Sequence, residues 1–166
     1  NGTEPIPLLE DLISTWPNAH INIDCKSDAA MKPLIDTIRR TNCLDRICVG
    51  SFSDKRLRHI RSELGTGLCT SMGPQEVVRL VLGSSSGIPL NPSRYALIAQ
   101  VPVRQGPIPV VTPRTIARAH QLGLQIHVWT IDEPLEIGRL IDMGVDGIMS
   151  DDTRALKDVF TARHLW

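Results

Sequence analysis

Short runs of apolar residues alternate with segments of helical periodicity along most of the chain. One such segment places four apolar residues at the i, i+3, i+4, i+7 spacing of a helix that packs one face against a core: Met31, Leu34, Ile35 and Ile38. Runs rich in β-branched residues precede these segments and predict strands. The predicted strands are 20–26, 46–52, 67–71, 95–101, 124–130 and 146–150.

Capping residues and turn formers predict where each helix starts and stops. The predicted starts are Ser27–Asp28, Ser53 or Asp54, Pro74, Thr112–Pro113 and Asp132 with Pro134, and a last helix carries Leu156, Val159 and Phe160. The predicted stops are Asn42, Gly65, Gly83, Gly123 and Gly144. The apolar residues expected to face inward are Val77, Val78 and Val81 in the third helix and Leu135, Leu140 and Ile141 in the fifth. We expect a loop over 83–92 and irregular, proline-rich backbone over 102–109.

Strands that alternate with helices predict an α/β fold in which parallel strands are covered by helices. A doubly wound sheet and a (β/α)8 TIM barrel are the two candidates. No strand is followed by a GxGxxG motif, so nothing in the sequence supports a dinucleotide-binding fold. Roughly six strand–helix units fit the chain, whereas a complete barrel has eight units and about 250 residues. The expected barrel is therefore incomplete.

The composition is that of a globular protein, and 166 residues suffice for one domain spanning 1–166. The 18 basic residues balance 18 acidic ones, and only 4% of the residues are aromatic. This balance gives no electrostatic or stacking basis for binding nucleic acid. No apolar run approaches the roughly 20 residues that span a bilayer, so we expect no integral membrane segment. The four cysteines form no CxxC pair, which favours reduced thiols and a cytoplasmic location.

A polar triplet in the first strand is the most informative feature of the sequence. Because strand side chains alternate between faces, Asn22, Asp24 and Lys26 share the face opposite Ile21 and Ile23. A buried carboxylate or ammonium needs water, a ligand or a metal, since unpaired buried charge is costly. The alternative is an edge strand with a solvated face or a structural ion pair.

Polar residues also follow the other predicted strands, at the end where sites assemble in parallel α/β folds. They are Ser51, Thr70, Ser71, Gln100, Trp129, Thr130, Ser150 and Asp151. A helix-capping role is an equally good interpretation for Ser51, Thr130 and Asp151. Their recurrence at the same end of six strands predicts a site there.

Five segments, in order along the chain, resemble the glycerophosphodiester phosphodiesterase family. They are IPLLEDL at 6–12, NIDCK at 22–26, GSF at 50–52, HVWTID at 127–132 and GVDGIMSD at 144–151. The resemblance implies a (β/α)8 barrel that hydrolyses glycerophosphodiesters to glycerol 3-phosphate and an alcohol with a divalent metal. It covers essentially the whole chain, and the last two segments are its most specific part.

The resemblance implies roles for three residues. Asp24 stands where the family has a metal-binding carboxylate, most often Glu, and Asp also suits Mg²⁺ or Ca²⁺. Lys26 stands at a lysine directed at the substrate phosphate, and Trp129 at a tryptophan that lines the glycerol side of the pocket. Packing inside the barrel is the alternative for Trp129. His127 shares its face but is expected to be a core histidine without a catalytic role.

Other motifs of the family are missing from this sequence. No histidine is followed by Arg-Gly or by Asp, and no ExD occurs, so the family's catalytic histidine pair and two further metal ligands have no counterpart here. We therefore expect no catalytic residue in this chain, which would be the C-terminal portion of the barrel, strands 3 to 8, and inactive alone. It would be a piece of a full enzyme, a natural truncation without catalysis, or a chain completed by another.

Three functions remain open at this point. The first is metal-dependent hydrolysis of a small glycerophosphodiester by the intact protein. The second is a non-catalytic protein that binds phosphodiesters, and the third is a lipid phosphodiesterase of phospholipase D type. Open barrel edges would also expose apolar surface and favour self-association.

Overall fold

The computed structural model describes residues 5–86 and 90–166, which form an α/β fold of six parallel strands, each followed by a helix. The parallel strands are β1 (Ile21–Asp24), β2 (Ile47–Gly50), β3 (Cys69–Thr70), β4 (Ile98–Val101), β7 (Gln125–Val128) and β8 (Gly147–Ile148). The helices are α1 (Leu9–Thr15), α2 (Met31–Thr41), α3 (Asp54–Leu64), α4 (Pro74–Ser86), α5 (Pro113–Gln121), α6 (Pro134–Met143) and α7 (Thr153–Ala162). Every predicted strand thus contains an observed one, which confirms the predicted alternation.

The parallel strands form two three-stranded sheets, with orders β1-β2-β3 and β4-β7-β8. The chain divides into two compact units, residues up to Gly73 and residues from Pro74 onwards, and each sheet belongs to one of them. The parallel α/β class is confirmed. No closed barrel forms within the described ranges, where β1 pairs only with β2 and β8 only with β7.

The core of the first unit lies between its sheet and its helices. Ile47 and Val49 of β2 are fully buried, and Ile38 of α2 and Ile60 of α3 pack in the same cluster. The helical spacing of α2 supplies Leu34 and Ile35 to this cluster, as its apolar periodicity predicts. The sheet face that carries Asn22 and Asp24 is therefore turned away from the helices.

Local chemistry explains several of the helix ends. Asn42 ends α2 in the left-handed conformation, with φ of 50°, which its short polar side chain tolerates. Ser53 caps α3 by accepting a hydrogen bond from the backbone N–H of Arg56, and Thr112 caps α5 in the same way. These three limits were predicted from the sequence.

Helix α4 differs from the prediction in both its end and its buried face. It continues past Gly83 to Ser86, and the residues that it buries are Leu80 and Gly83, whereas Val78 is 55% exposed. The prediction of a loop over 83–92 is therefore wrong for 83–86, and 87–89 lie outside the described residues. Gly83 is buried because a position without a side chain allows close packing at that face.

Two further predictions in the second unit are wrong. Leu135, predicted to face inward, is 90% exposed, whereas Leu140 is buried as predicted and α6 also buries Ile137. The proline-rich stretch is not irregular throughout, because β5 (Arg104–Gln105) and β6 (Ile108–Pro109) form a short antiparallel hairpin. A proline is compatible with an edge strand, since it removes only one donor from the ladder.

Candidate functional site

The carboxyl end of β1 carries two of the residues that the sequence singled out. Asp24 is the last residue of β1 and pairs with Gly50 of β2, so no neighbouring side chain from β2 covers it. Asn22, on the same face, is exposed, and Lys26 follows beyond the strand end. The structure brings Asp24 and Lys26 together within the first unit.

The Asp24 carboxylate has two unequal oxygens. Its Oδ2 accepts a hydrogen bond from Lys26 Nζ at 2.6 Å. Its Oδ1 is buried and has no hydrogen-bond partner among the residues that the structure describes. A buried carboxylate oxygen without a donor costs free energy, and a hard divalent cation is a ligand that would compensate for it. The alternative of a structural ion pair accounts for Oδ2 alone.

Lys26 is held at the surface of the same strand end. Its side chain is 78% exposed, and its ammonium lies 5.8 Å from the centre of the Phe52 ring. Phe52 follows β2 and is itself 67% exposed. A cation over an aromatic face is attracted by the ring quadrupole, which restricts where this flexible side chain points. The ammonium therefore stays accessible to an anionic ligand while its direction is constrained.

Two polar residues at neighbouring strand ends have structural partners. Ser51 is buried and donates from Oγ to the carbonyl oxygen of Cys25 at 2.7 Å. Thr70 is fully buried, and its Oγ1 accepts from Nε of Arg61 at 3.0 Å. These contacts explain both hydroxyls without a ligand.

A pair of cysteines lies one row below Asp24 on the same face of the sheet. Cys48 pairs with Asn22 on one side and with Cys69 on the other. A hydrogen bond from the Cys48 thiol lowers the pKa of Cys69 to about 7, while the same contact and burial raise the pKa of Cys48. Sequence reasoning missed this pair because cysteines 21 positions apart become neighbours only through the register of β2 and β3.

Trp129 lies in the second unit, directly after β7. Its side chain is partly buried, and its backbone N–H donates to the carbonyl of Val101 at 3.2 Å. The peptide bond to Thr130 is cis. Trp129 is thus fixed at the carboxyl end of the β4-β7 pair, where the sequence placed it.

His127 lies two residues before Trp129 on the same strand face and packs on Gly147 of β8. A Cβ atom at Gly147 would lie 2.7 Å from Cδ2 of the imidazole, so the ring occupies space that only glycine leaves open. The ring Nε2 is 3.1 Å from Oε1 of Gln125, and burial lowers the pKa of His127. A neutral, packed imidazole agrees with the structural interpretation of this residue.

Asp132 does not cap α6, which begins after Glu133. Its Oδ1 instead accepts hydrogen bonds from Ser150 Oγ and from the backbone N–H of Asp151, both at 2.8 Å. These donors lower the pKa of Asp132. Asp151 does not cap α7 either, because Asp152 does so through the N–H of Ala155. Asp132 therefore stabilises the conformation of the segment between β8 and α7.

Metal ligands are few in the part of the chain that the structure describes. It contains no group of three or more His, Cys, Asp or Glu side chains placed to hold a metal ion. Among the residues that the structure describes, Asp24 alone combines a buried, unpartnered carboxylate oxygen with a position at a strand end. The described residues thus fit one ligand of a hard-cation site and do not complete it.

Comparison with known proteins identifies one family. The family model for the glycerophosphoryl diester phosphodiesterase family matches residues 5–155. The chain is 36% identical over 170 residues to the probable glycerophosphodiester phosphodiesterase 2 of Mycobacterium tuberculosis, covering 98% of this chain and 63% of that protein. It is 23% identical to human lysophospholipase D, with 92% and 56% of the two chains covered. The chain spans less than two thirds of the length of these relatives.

A solved structure shares the fold. The phosphodiesterase from Oleispira antarctica, solved with its product sn-glycerol 3-phosphate, superposes with a TM-score of 0.65 at 11% identity. The match covers 92% of this chain and 59% of that one. Of the helices in the described ranges, none has both the length and the apolar character needed to cross a bilayer.

Proposed function

The chain belongs to the glycerophosphoryl diester phosphodiesterase family, and from this premise we propose that the whole protein hydrolyses glycerophosphodiesters to glycerol 3-phosphate and an alcohol. One observation supports the proposal most directly. A buried carboxylate oxygen of Asp24 lacks a partner beside the accessible ammonium of Lys26, at the carboxyl end of a parallel strand. A carboxylate suits a divalent cation and an ammonium suits a phosphate, so together they fit a metal-bound phosphodiester.

Asp24 is the proposed ligand for a divalent metal, Mg²⁺ or Ca²⁺, through Oδ1. Bound there, the cation would neutralise charge on the phosphoryl oxygens. Asp is shorter than the Glu that most of the family has, so the ion would lie closer to β1. Because the described residues supply one ligand, the remaining ligands would come from residues outside this set.

Lys26 is the proposed phosphate-binding residue. Its ammonium is a compact point charge with three donors, and it lies on an exposed strand end rather than in the core. The phosphoryl oxygens gain negative charge during attack, so a fixed cation stabilises the transition state more than the ground state. When phosphate binds, the ammonium would share its donors between Asp24 and the phosphate.

Trp129 is the proposed contact for the glycerol side of the substrate. Its indole offers an apolar face with one N–H donor, which suits a polyol that has both C–H and O–H groups. The bound product of the Oleispira antarctica relative is sn-glycerol 3-phosphate, which is consistent with this substrate class.

We propose further that this chain hydrolyses nothing by itself, because it has no HRG and no ExD…HD motif for the catalytic histidines. In this interpretation residues 1–166 are one domain that corresponds to strands 3 to 8 of a complete TIM barrel. Its first and last strands, β1 and β8 in the numbering used here, would be open edges that favour self-association. A cytoplasmic location remains a prediction from the free cysteines.

A lipid substrate is the second candidate, favoured by the similarity to human lysophospholipase D. The two candidates share the phosphodiester and differ on the glycerol side, which carries an acyl chain in one and none in the other. Lysophosphatidylcholine and glycerophosphocholine are therefore the substrates to compare. Faster turnover of lysophosphatidylcholine would replace the first proposal by the second.

The test uses the full-length protein with Mg²⁺ or Ca²⁺ and measures release of glycerol 3-phosphate from glycerophosphocholine. Lys26→Met should lower kcat/KM by about 100-fold, the effect of losing one transition-state donor. Lys32→Met is the matched control, because Lys32 is equally exposed and is also paired with an aspartate at 2.6 Å. Equal rates for both variants would refute the role of Lys26, and no release by the unaltered protein would refute the function.

A further inference from the structure

Helix α3 carries two arginines that reach the ends of different strands in the first unit. Arg56 reaches the end of β1, where its Nη1 is 3.4 Å from the carbonyl oxygen of Cys25. Arg61, five positions later, reaches the end of β3 and donates to the carbonyl of Ser71 at 2.9 Å. Each guanidinium therefore donates to a backbone carbonyl that lies just beyond the end of a strand.

Two side chains donate hydrogen bonds to the Cys25 carbonyl, and neither bond belongs to the hydrogen-bond ladder of the sheet. Ser51 Oγ donates to it at 2.7 Å, and Arg56 donates to both the carbonyl and the Ser51 hydroxyl, the latter at 3.3 Å. Arg56 is itself anchored by Nε, which donates to Oδ1 of Asp28 at 2.7 Å. The guanidinium holds the pKa of Asp28 below its usual range. The result is a closed network around one peptide group.

The position of that peptide gives the network its significance. Cys25 is the residue between Asp24 and Lys26, and its own N–H makes a hydrogen bond with the Gly50 carbonyl at 2.8 Å. Beyond this bond β1 has ended, so the direction of the Cys25–Lys26 peptide depends on what its carbonyl binds. Cys25 is buried, with 2% of its surface exposed, and an unpaired carbonyl there would be costly.

We propose that Arg56, acting through Ser51 and the Cys25 carbonyl, is a positioning residue for Lys26 and Asp24. It fixes the peptide between them and thereby the direction in which the Lys26 stem leaves the backbone. The inference rests on the proposed function, in which these two side chains bind phosphate and metal. Arg56 touches neither ligand in this assignment.

The long lysine stem makes its ammonium sensitive to this peptide. A small rotation of the backbone at the stem is amplified over four methylene groups into a displacement of ångström size at Nζ. Misplacing a binding group by about 1 Å can cost about 100-fold in rate. Because Lys26 is mostly exposed, its contacts with Asp24 and Phe52 hold the ammonium only when the stem leaves the backbone in the right direction.

Arg61 is the matched control that the chain offers. It lies on the same helix, donates to a backbone carbonyl and binds the buried Thr70 hydroxyl, as Arg56 binds Ser51. Its network covers Ser71, at the other edge of the same sheet, and no residue of the proposed site follows there. Removing either guanidinium costs the same kind of structural contact, whereas only Arg56 adjoins the site.

The experiment compares Arg56→Met, Arg56→Lys and Arg61→Met in the full-length protein. Binding of sn-glycerol 3-phosphate is measured by calorimetry alongside Tm, KM and kcat. Arg56→Met should weaken binding and raise KM by about tenfold, with a Tm loss similar to that of Arg61→Met. Arg56→Lys should recover part of the binding, because an ammonium can reach the carbonyl but not the whole network. Arg61→Met should change binding less than twofold.

Two results would overturn the proposal. One is unchanged binding in Arg56→Met, and the other is an equal loss in Arg61→Met, which would mark a purely structural effect. If Arg56→Met does not fold, Ser51→Ala removes the shorter donor to the same carbonyl and should weaken binding in the same direction.

Crystal structures separate this proposal from the proposed function. In Arg56→Met, Lys26 Nζ should leave the Asp24 carboxylate, from which it is 2.6 Å in the unaltered protein. An unmoved Lys26 would refute positioning even in an active enzyme. A displaced Lys26 in a protein that hydrolyses no glycerophosphodiester would uphold positioning and refute the function.

Discussion

Lys26 Nζ donates to Oδ2 of Asp24 at 2.6 Å, while the buried Oδ1 accepts no hydrogen bond from the described part of the chain. An isolated ion pair of this exposure contributes only about 0–1 kcal/mol to folding. An unsatisfied buried acceptor costs about 1–3 kcal/mol. Without a ligand, the arrangement therefore destabilises the folded protein on balance, which is typical of a binding site.

Asp24→Asn should have opposite effects on stability and activity. The neutral amide is easier to bury, so we expect the free energy of unfolding without metal to stay level or rise by about 1 kcal/mol. A neutral oxygen is a weaker cation ligand, so metal-dependent activity of the full-length protein should fall by about 100-fold. Chemical denaturation measures the effect on stability, and the phosphodiesterase assay measures the effect on activity.

Asp36→Asn is the control for that experiment. Asp36 pairs with Lys32 at the same 2.6 Å separation but lies on the exposed side of α2. The variant should be slightly less stable, because the hydrogen bond from Lys32 lowers the pKa of Asp36 in the folded state. Its activity should be unchanged. A stabilising Asp36→Asn, or a clearly destabilising Asp24→Asn, would contradict the interpretation of Oδ1.

Gly147→Ala should destabilise the second unit through His127. The new methyl group would lie 2.7 Å from the imidazole Cδ2, and overpacking of this kind costs about 1–3 kcal/mol. His127→Ala removes the obstacle, so the double variant should lose less stability than the sum of the single variants. Thermal unfolding of all four proteins gives the coupling, and strictly additive losses would show that the ring moves aside freely.

Cys69 should react with iodoacetamide at a lower pH than an ordinary thiol. A hydrogen bond from the Cys48 thiol lowers the pKa of Cys69, so a larger fraction of Cys69 than of an ordinary cysteine is thiolate at neutral pH. Peptide mass spectrometry across pH 6–9 measures the midpoint. Cys48→Ala removes the donor and should move the midpoint of Cys69 upward, and an unmoved midpoint would contradict the role of Cys48.

The buried cysteines provide an internal reference for the same experiment. Cys25 and Cys43 are 2% and 1% exposed, so both should be labelled slowly at every pH in the folded protein. Labelling of all four cysteines at one rate would indicate unfolding rather than a selective thiol.

Asp132 should support folding only where its carboxylate is ionised. Donors from Ser150 and Asp151 lower its pKa in the folded state, so its contribution is complete above the unfolded pKa of about 4 and is lost as pH falls through the lowered folded value. The Tm difference between the unaltered protein and Asp132→Ala should shrink on acidification. Asp132→Asn keeps an oxygen acceptor and should show a smaller loss, which also shrinks on acidification because only the unaltered protein titrates at this position.

Helix limits were predictable where one residue determines them. Asn42 and Thr112 act through their own side chains on adjacent backbone, so the sequence is sufficient. The buried face of α4 was not predictable in this way. Val78 and Leu80 are both apolar, and tertiary packing rather than periodicity decides that Leu80 is buried.

The candidate site also has features that local sequence predicts and features that depend on tertiary contacts. Motif order located Asp24, Lys26 and Trp129 at strand ends, and their roles remain predictions. The unpartnered oxygen of Asp24 depends on a rotamer, and the Arg56 network joins residues more than 25 positions apart. Such contacts follow from the register of β1 and β2, which no local pattern encodes.

The junction at Gly73 and Pro74 has a consequence for how such proteins diversify. Under the proposed roles, the residues for metal and phosphate are encoded before it and the tryptophan for the glycerol side of the substrate after it. A single genetic crossover there would combine the metal- and phosphate-binding residues of one relative with the glycerol-side preference of another. The crossover point itself is restricted, because a Cβ at Gly73 would lie within 3 Å of the Asp54 carboxylate. Recombinants that keep this glycine would inherit a new preference for the glycerol side of the substrate in one step.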